Sequence, residues 1–495
     1  MRIHIVAVSG TGMGPLAGLL AELGHSVSGS DVAFDPPMGP ALEAWGIRCL
    51  KGFDPAHLDG SGGAAPELVV VGNVCRPDNV EARAAFERGF EVTHLAGALG
   101  RFVLEGSSPL VVAGTHGKTT TTALAAHLLD RTGFEPGFLI GGLPADFPRS
   151  FRKPGPRRLS GNRPRRTPFV IEGDEYDTAF FEKTAKFLHY RPEVAILTSI
   201  EHDHIDIYPT LEAYLEAFRK FVALLPEHGL LVAEAGDPLV RAVARLARCE
   251  VAYYALEGED TGGVSPHWVI APASSDERAQ SFDLFAGGVS CGRFALSLPG
   301  RHNLKNALAA IAAAAQGFGA PIVELARALA SFRGVRRRQE LLGTPGGVSV
   351  YDDFAHHPSA VRETLAALRA RHREGRLIAV FEPRSATACR RLHQDEYPPA
   401  FAAADIVLLA PLGRQNLPAS EALDLSALVA ELQKSGKHAE SPPDHAAIVE
   451  RIAELARPGD VVALLSNGAF GGVTRRTVER LGARPAPDVD RSPRP

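Results

Sequence analysis

Residues 110–122, LVVAGTHGKTTTT, constrain the fold more than any other part of the sequence. An apolar run typical of a buried strand leads into a glycine-rich turn, and a helix rich in Ala and Leu follows from Thr120. A strand, such a turn, Lys-Thr and a helix form a phosphate-binding loop, in which backbone N–H groups and the helix N-terminus point at phosphate oxygens. The pattern predicts nucleotide binding, although Val112 stands where the common GxxxxGK[ST] loop has its first glycine.

The residue types of this turn suit phosphate chemistry. We expect Lys118 to neutralise the outer phosphates of the nucleotide and the Thr119 hydroxyl to hold Mg²⁺. The alternative is a glycine-rich turn with a surface lysine, which the strand–turn–helix context disfavours. The phosphate-binding residues predicted here are Gly114, Thr115, His116, Gly117, Lys118, Thr119 and Thr120.

Length and composition limit the function classes. A chain of 495 residues predicts about three domains, and 45% hydrophobic residues suffice for packed cores. A formal net charge of −4 gives no reason to expect a nucleic-acid partner. Five scattered cysteines without a CxxC pair favour reduced thiols in the cytoplasm over a disulfide scaffold or a zinc site. No apolar run suits a membrane span, and the apolar N-terminus is too short for a signal peptide.

The N-terminal segment is typical of a strand–helix–strand unit that binds a nucleotide. A strand over 2–8 ends in the turn SGTGMG, and a strand over 26–31 ends in a carboxylate that is placed to meet a ribose hydroxyl or a base. Pro15 breaks the strict GxGxxG pattern, so a tight turn without a ligand is the alternative. A further strand over 67–73 ends at the same ligand-binding edge. The predicted nucleotide-contacting residues are Gly10, Thr11, Gly12, Met13, Ser30, Asp31 and Asn73.

Two acidic segments follow predicted strands in the middle of the chain. EGDEYD at 172–177 follows a strand over 169–171, and EHDHID at 201–206 follows a strand over 194–200. Each cluster alone is typical of a solvated loop. Together with a phosphate-binding loop, carboxylates and histidines at strand ends favour metal binding.

These segments supply the candidate metal ligands. We expect Glu172 and Thr119 to share one Mg²⁺ ion. We expect His204 to hold a second ion, with Asp203 or Asp206 orienting its ring.

Between these motifs lies a segment without periodicity. Residues 145–169 are rich in Pro and Arg and predict a mobile basic loop. A nucleic-acid patch is the weaker interpretation, because the chain as a whole has a formal net charge of −4.

The last third of the chain carries further candidates at element ends. His302, Asn303 and Asn306 lie at the start of an Ala-rich helix, where Asn side chains can read an adenine edge, although helix capping by Asn303 is the alternative. A third α/β unit opens at 348–354. The C-terminal ends of its predicted strands carry Asp352, Asp353, His356, Arg384 and Asn467.

Four motifs in this order resemble those of the Mur ligases, the ATP-dependent amide ligases of peptidoglycan assembly. They are GTHGKTTT at 114–121, EGDEYD at 172–177, GRHNLKNALAA at 300–310 and YDDFAHHP at 351–358. The resemblance covers nearly the whole chain. The N-terminal HIVAVSGTGMG and SGSD resemble the branch that acts on UDP-N-acetylmuramate.

The resemblance implies an α/β protein of three domains. These are a UDP-sugar-binding Rossmann-like domain over 1–107, a central P-loop ATPase domain over 108–334 and a Rossmann-like acceptor-binding domain over 335–482. The Pro- and charge-rich residues 483–495 are expected to be a disordered tail.

Two members of the family take this nucleotide sugar, one adding L-alanine in biosynthesis and one adding L-Ala-γ-D-Glu-meso-diaminopimelate in recycling. A segment near 383 that is typically PHRYSRT-like in the alanine-adding member is shorter here, which fits a different acceptor pocket. The alanine-adding activity remains the alternative. Six segments resemble the recycling member: DPPMGP (35–40), GNVCRPDN (72–79), EGDEYDTAFF (172–181), VYDDFAHHPSA (350–360), FEPRSAT (381–387) and SNGAFGG (466–472).

The resemblance also implies residue roles and small-molecule partners, with no nucleic acid and no membrane. The N-terminal candidates would bind the UDP-sugar, and ATP with Mg²⁺ would form an acyl phosphate at the central loop. Ser199 stands where the family pattern has an Asn. Phe218 stands where the later-acting ligases of the family have a carbamylated Lys, so no such modification is expected, and Phe agrees with the early-acting branch. The implied roles are catalysis for Lys118, Glu172 and His204, ATP binding for the 114–120 loop with His302, Asn303, Asn306, Arg338 and Asp353, and acceptor binding for His356 and Arg384.

Two other classes of function are weighed against a ligase. A dehydrogenase is suggested by the opening strand–helix–strand unit, but the broken GxGxxG and the phosphate-binding loop argue against it. A regulatory nucleotide-binding protein without chemistry is disfavoured by the full set of candidate metal and ATP residues.

Overall fold

The computed structural model describes residues 1–35, 38–60, 64–156, 158–160, 163–276, 279–414 and 417–483. The predicted tail from 484 onward, and Pro36 and Pro37 of the DPPMGP segment, lie outside the described residues. The chain forms two compact units. The first contains Met1–Ser274, Gln280–Ser297 and Asn303–Val335, and the second contains Ser275–Ala279, Leu298–His302 and the residues from Arg336 onward.

The N-terminal part of the first unit is a five-stranded parallel sheet in the order β3-β2-β1-β4-β5. The first strand ends before Ala7, whose left-handed φ of 66° turns the chain while its N–H donates to the Ser30 carbonyl at 2.9 Å. The strands are β1 (Arg2–Val6), β2 (Ser26–Asp31), β3 (Arg48–Lys51), β4 (Leu68–Val71) and β5 (Val92–His94), and the helices are α1 (Met13–Glu22), α2 (Met38–Ala44), α3 (Val80–Glu87) and α4 (Leu95–Phe102).

The rest of the first unit is built on a ten-stranded sheet in the order β19-β18-β17-β16-β15-β14-β6-β11-β7-β8. Its central strands pair in parallel and are buried along their length, which accounts for their continuous apolar sequences. The sheet strands are β6 (Ser108–Ala113), β7 (Gly137–Leu139), β8 (Phe151–Arg152), β11 (Pro168–Gly173), β14 (Val194–Leu197), β15 (Leu230–Glu234), β16 (Glu250–Leu256), β17 (Trp268–Ser275), β18 (Gln280–Ala286) and β19 (Val289–Leu296).

Two short hairpins and five helices accompany this sheet. The hairpins join β9 (Arg158–Ser160) to β10 (Arg163–Arg165) and β12 (Asp177–Ala179) to β13 (Glu182–Ala185). The helices are α5 (Lys118–Arg131), α6 (Leu211–Val222), α7 (Pro238–Ala244), α8 (Arg301–Ala312) and α9 (Ile322–Ala330).

Residues 145–169 were predicted to form a loop without regular structure, and this prediction is wrong at Phe151–Arg152, which form the strand β8. Phe151 pairs with Leu139 of β7, and its buried ring lies against Trp45, with ring centroids 4.8 Å apart. A Cβ atom on Gly18 would lie 2.2 Å from this ring, so the glycine leaves the space that the ring fills. An edge strand is hydrogen-bonded on one side only, and a Pro- and Arg-rich sequence is therefore compatible with it.

The second unit contains a six-stranded sheet in the order β20-β21-β25-β22-β23-β24, in which only β20 is antiparallel to its neighbour. Helices cover both apolar faces. The strands are β20 (Glu340–Gly343), β21 (Ser349–Asp353), β22 (Leu377–Phe381), β23 (Ile406–Leu409), β24 (His438–Glu440) and β25 (Val461–Leu465), and the helices are α10 (Pro358–Arg371), α11 (Tyr397–Ala400), α12 (Leu425–Lys434), α13 (His445–Leu455) and α14 (Val473–Gly482).

Within the ranges given above, no helix has the length and apolar character that crossing a membrane requires. All five cysteines are free thiols.

Replacing Phe151 with Ala tests the docking of β8. The substitution leaves a cavity beside Gly18 and Trp45, so we expect the free energy of unfolding to fall by about 3–5 kcal/mol. Urea unfolding followed by tryptophan fluorescence reports the change, because Trp45 contacts the lost ring. Val323→Ala, at an exposed position of α9, is the matched control and should change stability by less than about 0.5 kcal/mol. An unchanged urea midpoint for Phe151→Ala would show that β8 is not docked.

Candidate active site

The turn between β6 and α5 has the conformation of a phosphate-binding loop. Gly114 and Gly117 adopt φ values of 130° and 80°, which glycine tolerates and residues with a Cβ rarely adopt. A Cβ on Gly117 would lie 2.4 Å from the side-chain oxygen of Asn306, so the backbone of the loop approaches α8 closely. Helix α5 begins at Lys118, which places its N-terminal N–H groups beside this turn.

The Lys118 side chain is largely enclosed, with 13% of it exposed, and its ammonium is held by oxygen atoms. Its Nζ donates to the Gly114 carbonyl at 2.6 Å and to Glu175 Oε2 at 2.9 Å. Burial lowers the pKa of Lys118, but neighbouring carboxylates, Glu175 above all, outweigh burial and raise it. Burial raises the pKa of Glu175, but Lys118 and His204 outweigh burial and lower that pKa to about 2. The loop thus contains a buried, fully ionised pair.

His204 extends this pair into a three-residue charge cluster. Its Nε2 lies 3.1 Å from Glu175 Oε1, and its backbone adopts a left-handed φ of 51°. Burial lowers the pKa of His204, but the hydrogen bond to Glu175 outweighs burial and raises it. The sequence predicted Asp203 or Asp206 as the group that orients the ring. In the structure Glu175 pairs with Nε2, whereas Asp203 Oδ1 accepts the backbone N–H of His204 at 2.7 Å.

Thr119 and Glu172 meet beside the loop. The Thr119 hydroxyl donates to Glu172 Oε2 at 3.0 Å, and the N–H of Gly141 donates to Glu172 Oε1 at 2.6 Å. A hydroxyl and a carboxylate are hard oxygen ligands of the kind that Mg²⁺ prefers. The donor set therefore fits the predicted shared magnesium ion.

The segment after β14 fixes the outer side of the loop. The Ser199 hydroxyl accepts the backbone N–H of His116 at 3.1 Å, and the Thr115 hydroxyl donates to the Glu201 carbonyl at 2.9 Å. The Nε2 atom of His116 lies 3.1 Å from Glu201 Oε2. Ser199, where the family pattern has an Asn, therefore supports the phosphate-binding loop directly.

Phe218 occupies the position at which the resemblance implied a carbamylated lysine in other family members. Its ring is buried in an aromatic cluster, with centroids 5.1 Å from Tyr214 and 5.5 Å from Phe187. An apolar ring in this cluster cannot supply a carbamate oxygen to a metal ion.

The two asparagines predicted to contact the nucleotide lie on helix α8, beside the phosphate-binding loop. Asn306 Nδ2 donates to Asn303 Oδ1 at 3.2 Å, and both side chains are buried. Lys305 lies between them in sequence, and its Nζ atom is 2.9 Å from Glu234 Oε1 and 2.9 Å from Glu259 Oε1. Adenine recognition by the asparagines remains a prediction. His302 belongs to the second unit, where its Nε2 lies 3.4 Å from Gln339 Nε2.

The N-terminal candidates lie at the carboxyl ends of adjacent strands β2, β1 and β4. Asp31 accepts the N–H of Ser9 at 2.8 Å and thereby closes the turn that contains Gly10, Thr11 and Gly12. Ser30 and Met13 are buried below this turn, and the Ser30 hydroxyl has no hydrogen-bond partner among the described atoms. Asn73 follows β4 and is exposed at the same edge.

In the second unit, Asp353 is buried and supports the backbone around it. It accepts hydrogen bonds from the backbone N–H groups of Gln339 at 2.7 Å and Ala355 at 2.8 Å, and from the Thr364 hydroxyl at 3.2 Å. The guanidinium of Arg338 stacks on Phe354 at 4.6 Å from the ring centroid.

The two predicted acceptor residues of the second unit lie after different strands. His356 follows β21, and its Nδ1 lies 3.0 Å from the Phe354 carbonyl oxygen. Arg384 follows β22 and is partly exposed, with its NH1 atom 3.8 Å from Glu382 Oε1. Acceptor binding by both residues remains a prediction.

Sequence reasoning missed the residue at the centre of the charge cluster. Glu175 lies inside the EGDEYD motif that indicated metal ligands, three residues after Glu172, but its type alone does not distinguish a lysine partner from a metal ligand. The sequence showed Ser199 as a departure from the family pattern and Glu201 as part of an acidic segment. Nothing in the sequence indicated that either residue contacts the phosphate-binding loop.

Comparison with known proteins gives matches along the whole chain. The family model described as "Mur ligase family, catalytic domain" matches residues 2–106, "Mur ligase middle domain" matches 112–314, and "Mur ligase, glutamate ligase domain" matches 337–468. These successive matches confirm the predicted three-domain architecture.

Two curated relatives match over almost their full lengths. The UDP-N-acetylmuramate–L-alanyl-γ-D-glutamyl-meso-2,6-diaminoheptandioate ligase of Escherichia coli K12 is 37% identical over 98% of this chain and 99% of its own. The UDP-N-acetylmuramate–L-alanine ligase of Rubrobacter xylanophilus is 36% identical over 97% of this chain and 100% of its own. The crystal structure of a murein peptide ligase from Psychrobacter arcticus superposes with a TM-score of 0.72 at 33% identity, covering 98% of this chain and 100% of that one.

Glu175→Gln tests the charge cluster. The substitution keeps the shape but leaves the buried Lys118 ammonium without its anion, so we expect a loss of about 3 kcal/mol in stability. Thermal unfolding measures the loss, and added ATP should raise the melting temperature of the variant more than that of the wild type, because phosphates then neutralise Lys118. Glu216→Gln, at an exposed position of α6, is the control. A variant that melts with the wild type would refute the importance of this pair.

Proposed function

The chain belongs to the Mur ligase family, and on that premise we propose that it joins L-Ala-γ-D-Glu-meso-diaminopimelate to the lactyl carboxylate of UDP-N-acetylmuramate in peptidoglycan recycling. ATP is converted to ADP and phosphate in the reaction. The observation that carries the proposal is the end-to-end similarity to the Escherichia coli ligase named for these substrates, which leaves no domain of either protein unmatched. The match to the Psychrobacter arcticus structure supports the same substrate.

The site suits a reaction through an acyl phosphate, because a carboxylate is a poor acylating agent. An oxygen of the lactyl carboxylate attacks the γ-phosphorus of ATP and ADP leaves. The L-alanyl amine then attacks the acyl carbon, and the phosphate departs as the new amide loses a proton. Phosphoryl transfer depends on positioning and charge neutralisation, which the buried ammonium of Lys118 and the N–H groups of the loop provide.

Mg²⁺ is part of the proposal. Thr119 and Glu172 would hold one ion, and His204 would hold a second after release from Glu175. A bound ion would withdraw charge from the phosphate oxygens. Glu175 and Ser199 hold the phosphate-binding loop through Lys118 and the His116 N–H, and the Gly141 N–H holds Glu172.

The remaining roles follow the domain organisation, which we propose as 1–107, 108–334 and 335–482. Residues 10–13 with Ser30, Asp31 and Asn73 would bind the UDP-sugar at the edge of the first sheet. His302, Asn303, Asn306, Arg338 and Asp353 would complete the ATP site, and His356 and Arg384 would bind the acceptor. Since ATP and the UDP-sugar are cytoplasmic metabolites, we place the enzyme in the cytoplasm.

The alternative function is the addition of L-alanine to the same nucleotide sugar. A relative with that name is 36% identical over 97% of this chain, slightly less than the Escherichia coli peptide ligase, and a solved murein peptide ligase also matches the whole chain, so the similarities favour the peptide acceptor. The FEPRSAT and SNGAFGG segments favour the peptide acceptor.

Phosphate release separates the two functions. The enzyme is incubated with ATP, Mg²⁺ and UDP-N-acetylmuramate, and either L-alanine or the tripeptide is added. We expect release with the tripeptide and at most a small fraction of that rate with L-alanine. Efficient release with L-alanine alone would establish the alternative, and release that is independent of any acceptor would refute a ligase.

Lys118→Ala tests the proposed chemistry. Loss of the ammonium should lower kcat by at least about 10³-fold, while calorimetry still detects UDP-N-acetylmuramate binding. Retained binding shows that the variant is folded. Lys220→Ala, at an exposed position of α6, should behave as the wild type. Ligation at the wild-type rate by Lys118→Ala would exclude this site.

A further inference from the structure

Two histidines and a glutamate come together where the hairpin β12–β13 meets the first sheet. His94 ends β5, Glu182 begins β13, and His189 ends the short 3-10 helix Lys186–His189. His94 Nε2 lies 2.9 Å from Glu182 Oε2, and His189 Nε2 lies 3.4 Å from Glu182 Oε1. The two rings meet edge-on with centroids 4.8 Å apart. Each residue thus places one donor atom within 4.8 Å of the other two.

The donor types suit a transition-metal ion better than Mg²⁺. Imidazole nitrogens are ligands of Zn²⁺, Co²⁺ and Ni²⁺, whereas Mg²⁺ prefers oxygen. Two histidines and one carboxylate form a zinc ligand set that leaves a position for water. Ligand distances of about 2.0–2.2 Å place the donor atoms of a tetrahedral ion about 3.3–3.6 Å apart. The two distances to Glu182 are close to this range, so small side-chain rotations complete the set.

Both rings are in the protonation state that binds metal, since a ring nitrogen must be unprotonated to be a ligand. Burial lowers the pKa of His94, and burial together with the nearby His94 lowers the pKa of His189, so both rings are neutral at neutral pH. The His94 side chain is 5% exposed, whereas Glu182 and His189 are 39% and 23% exposed. The exposed side gives an ion access from solvent.

Existing hydrogen bonds set the cost of binding an ion. The N–H of Gly97 donates to His94 Nδ1 at 3.2 Å, so the proton of this ring is on Nε2, which donates to Glu182. An ion at Nε2 takes the place of that proton, Nδ1 takes up a proton instead, and the bond to Gly97 is released. The Thr184 hydroxyl, 2.9 Å from His189 Nε2, is left with Glu182 Oε1 at 3.3 Å. We therefore expect an affinity above that of a single exposed histidine and below that of a preformed structural zinc site.

We propose that His94, Glu182 and His189 form a binding site for a divalent transition-metal ion of the zinc type, with water in the remaining position. Such an ion would tie the hairpin β12–β13 and the 3-10 helix after it to the end of β5. The site differs in chemistry from the magnesium site proposed at Thr119 and Glu172, because two of its three donors are nitrogens. The inference does not rest on the proposed function.

Cobalt absorption tests the site. The full-length protein is titrated with Co²⁺ in an excess of Mg²⁺, which occupies sites made of oxygen ligands. Co²⁺ held by nitrogen and carboxylate ligands in a four- or five-coordinate site absorbs visible light far more strongly than hydrated Co²⁺. We expect saturable visible bands without the near-UV band of a cobalt–thiolate bond, and we expect Zn²⁺ to abolish them by displacing Co²⁺.

Three variants assign the bands to these residues. Glu182→Gln removes the anion and keeps the shape, His94→Asn keeps a side-chain acceptor that can cap α4, and His189→Ala removes the second ring. We expect each variant to bind Co²⁺ at least about tenfold more weakly and to lose the rise in melting temperature that Zn²⁺ gives the wild type. Melting curves without metal show that the variants are folded. His228→Ala, at an exposed position, is the matched control and should bind as the wild type does.

Either of two results would overturn the site. The wild type could give no saturable cobalt bands, which would leave a hydrogen-bonded cluster without a metal function. The bands could also persist with an unchanged dissociation constant in all three variants, which would assign the ion to other residues. Neither comparison uses the ligase reaction, so a failure of the proposed function would not change the result.

Discussion

The buried pair of Lys118 and Glu175 is the interaction on which the central site depends. An ammonium removed from water is stable only beside an anion with good hydrogen-bond geometry, and Glu175 supplies that anion. Because Lys118 also donates to the Gly114 carbonyl, the ion pair holds the backbone of the turn in place as well as the position of the ammonium. In the proposed reaction, an incoming γ-phosphate would therefore compete with the Glu175 carboxylate for Lys118.

The parallel sheets explain why so much of this site was predictable. The loop at 114–117, the acidic segment after Gly173 and the segment after Leu197 follow β6, β11 and β14, which are neighbours in the sheet. Carboxyl ends of parallel strands meet at one edge, so a sequence that shows apolar strands followed by polar segments indicates which segments come together. The same reasoning located the N-terminal turn beside Asp31 and Asn73.

The pairing of side chains within that edge was not predictable. His204 was expected to be oriented by an Asp of its own segment, but its ring pairs with Glu175, which follows another strand. Phe151 was assigned to a loop because its neighbours are Pro and Arg, whereas its burial depends on Gly18, more than a hundred residues away. Local periodicity indicates which face of a helix or strand is apolar. It does not indicate which residue, distant in sequence, makes room for a buried side chain or supplies the charge that pairs with it.

The choice of acceptor also depends on contacts between residues that are far apart in sequence. Relatives with two different acceptors resemble this chain to nearly the same degree, since the phosphate loop and the sheets serve a reaction that both perform. Selection between an amino acid and an acidic peptide requires a group that binds the additional carboxylates of the peptide. Under the proposed function, Arg384 after β22 would supply such a group. Similarity over the whole chain therefore reflects the shared chemistry, and the contacts of a few side chains distinguish the acceptors.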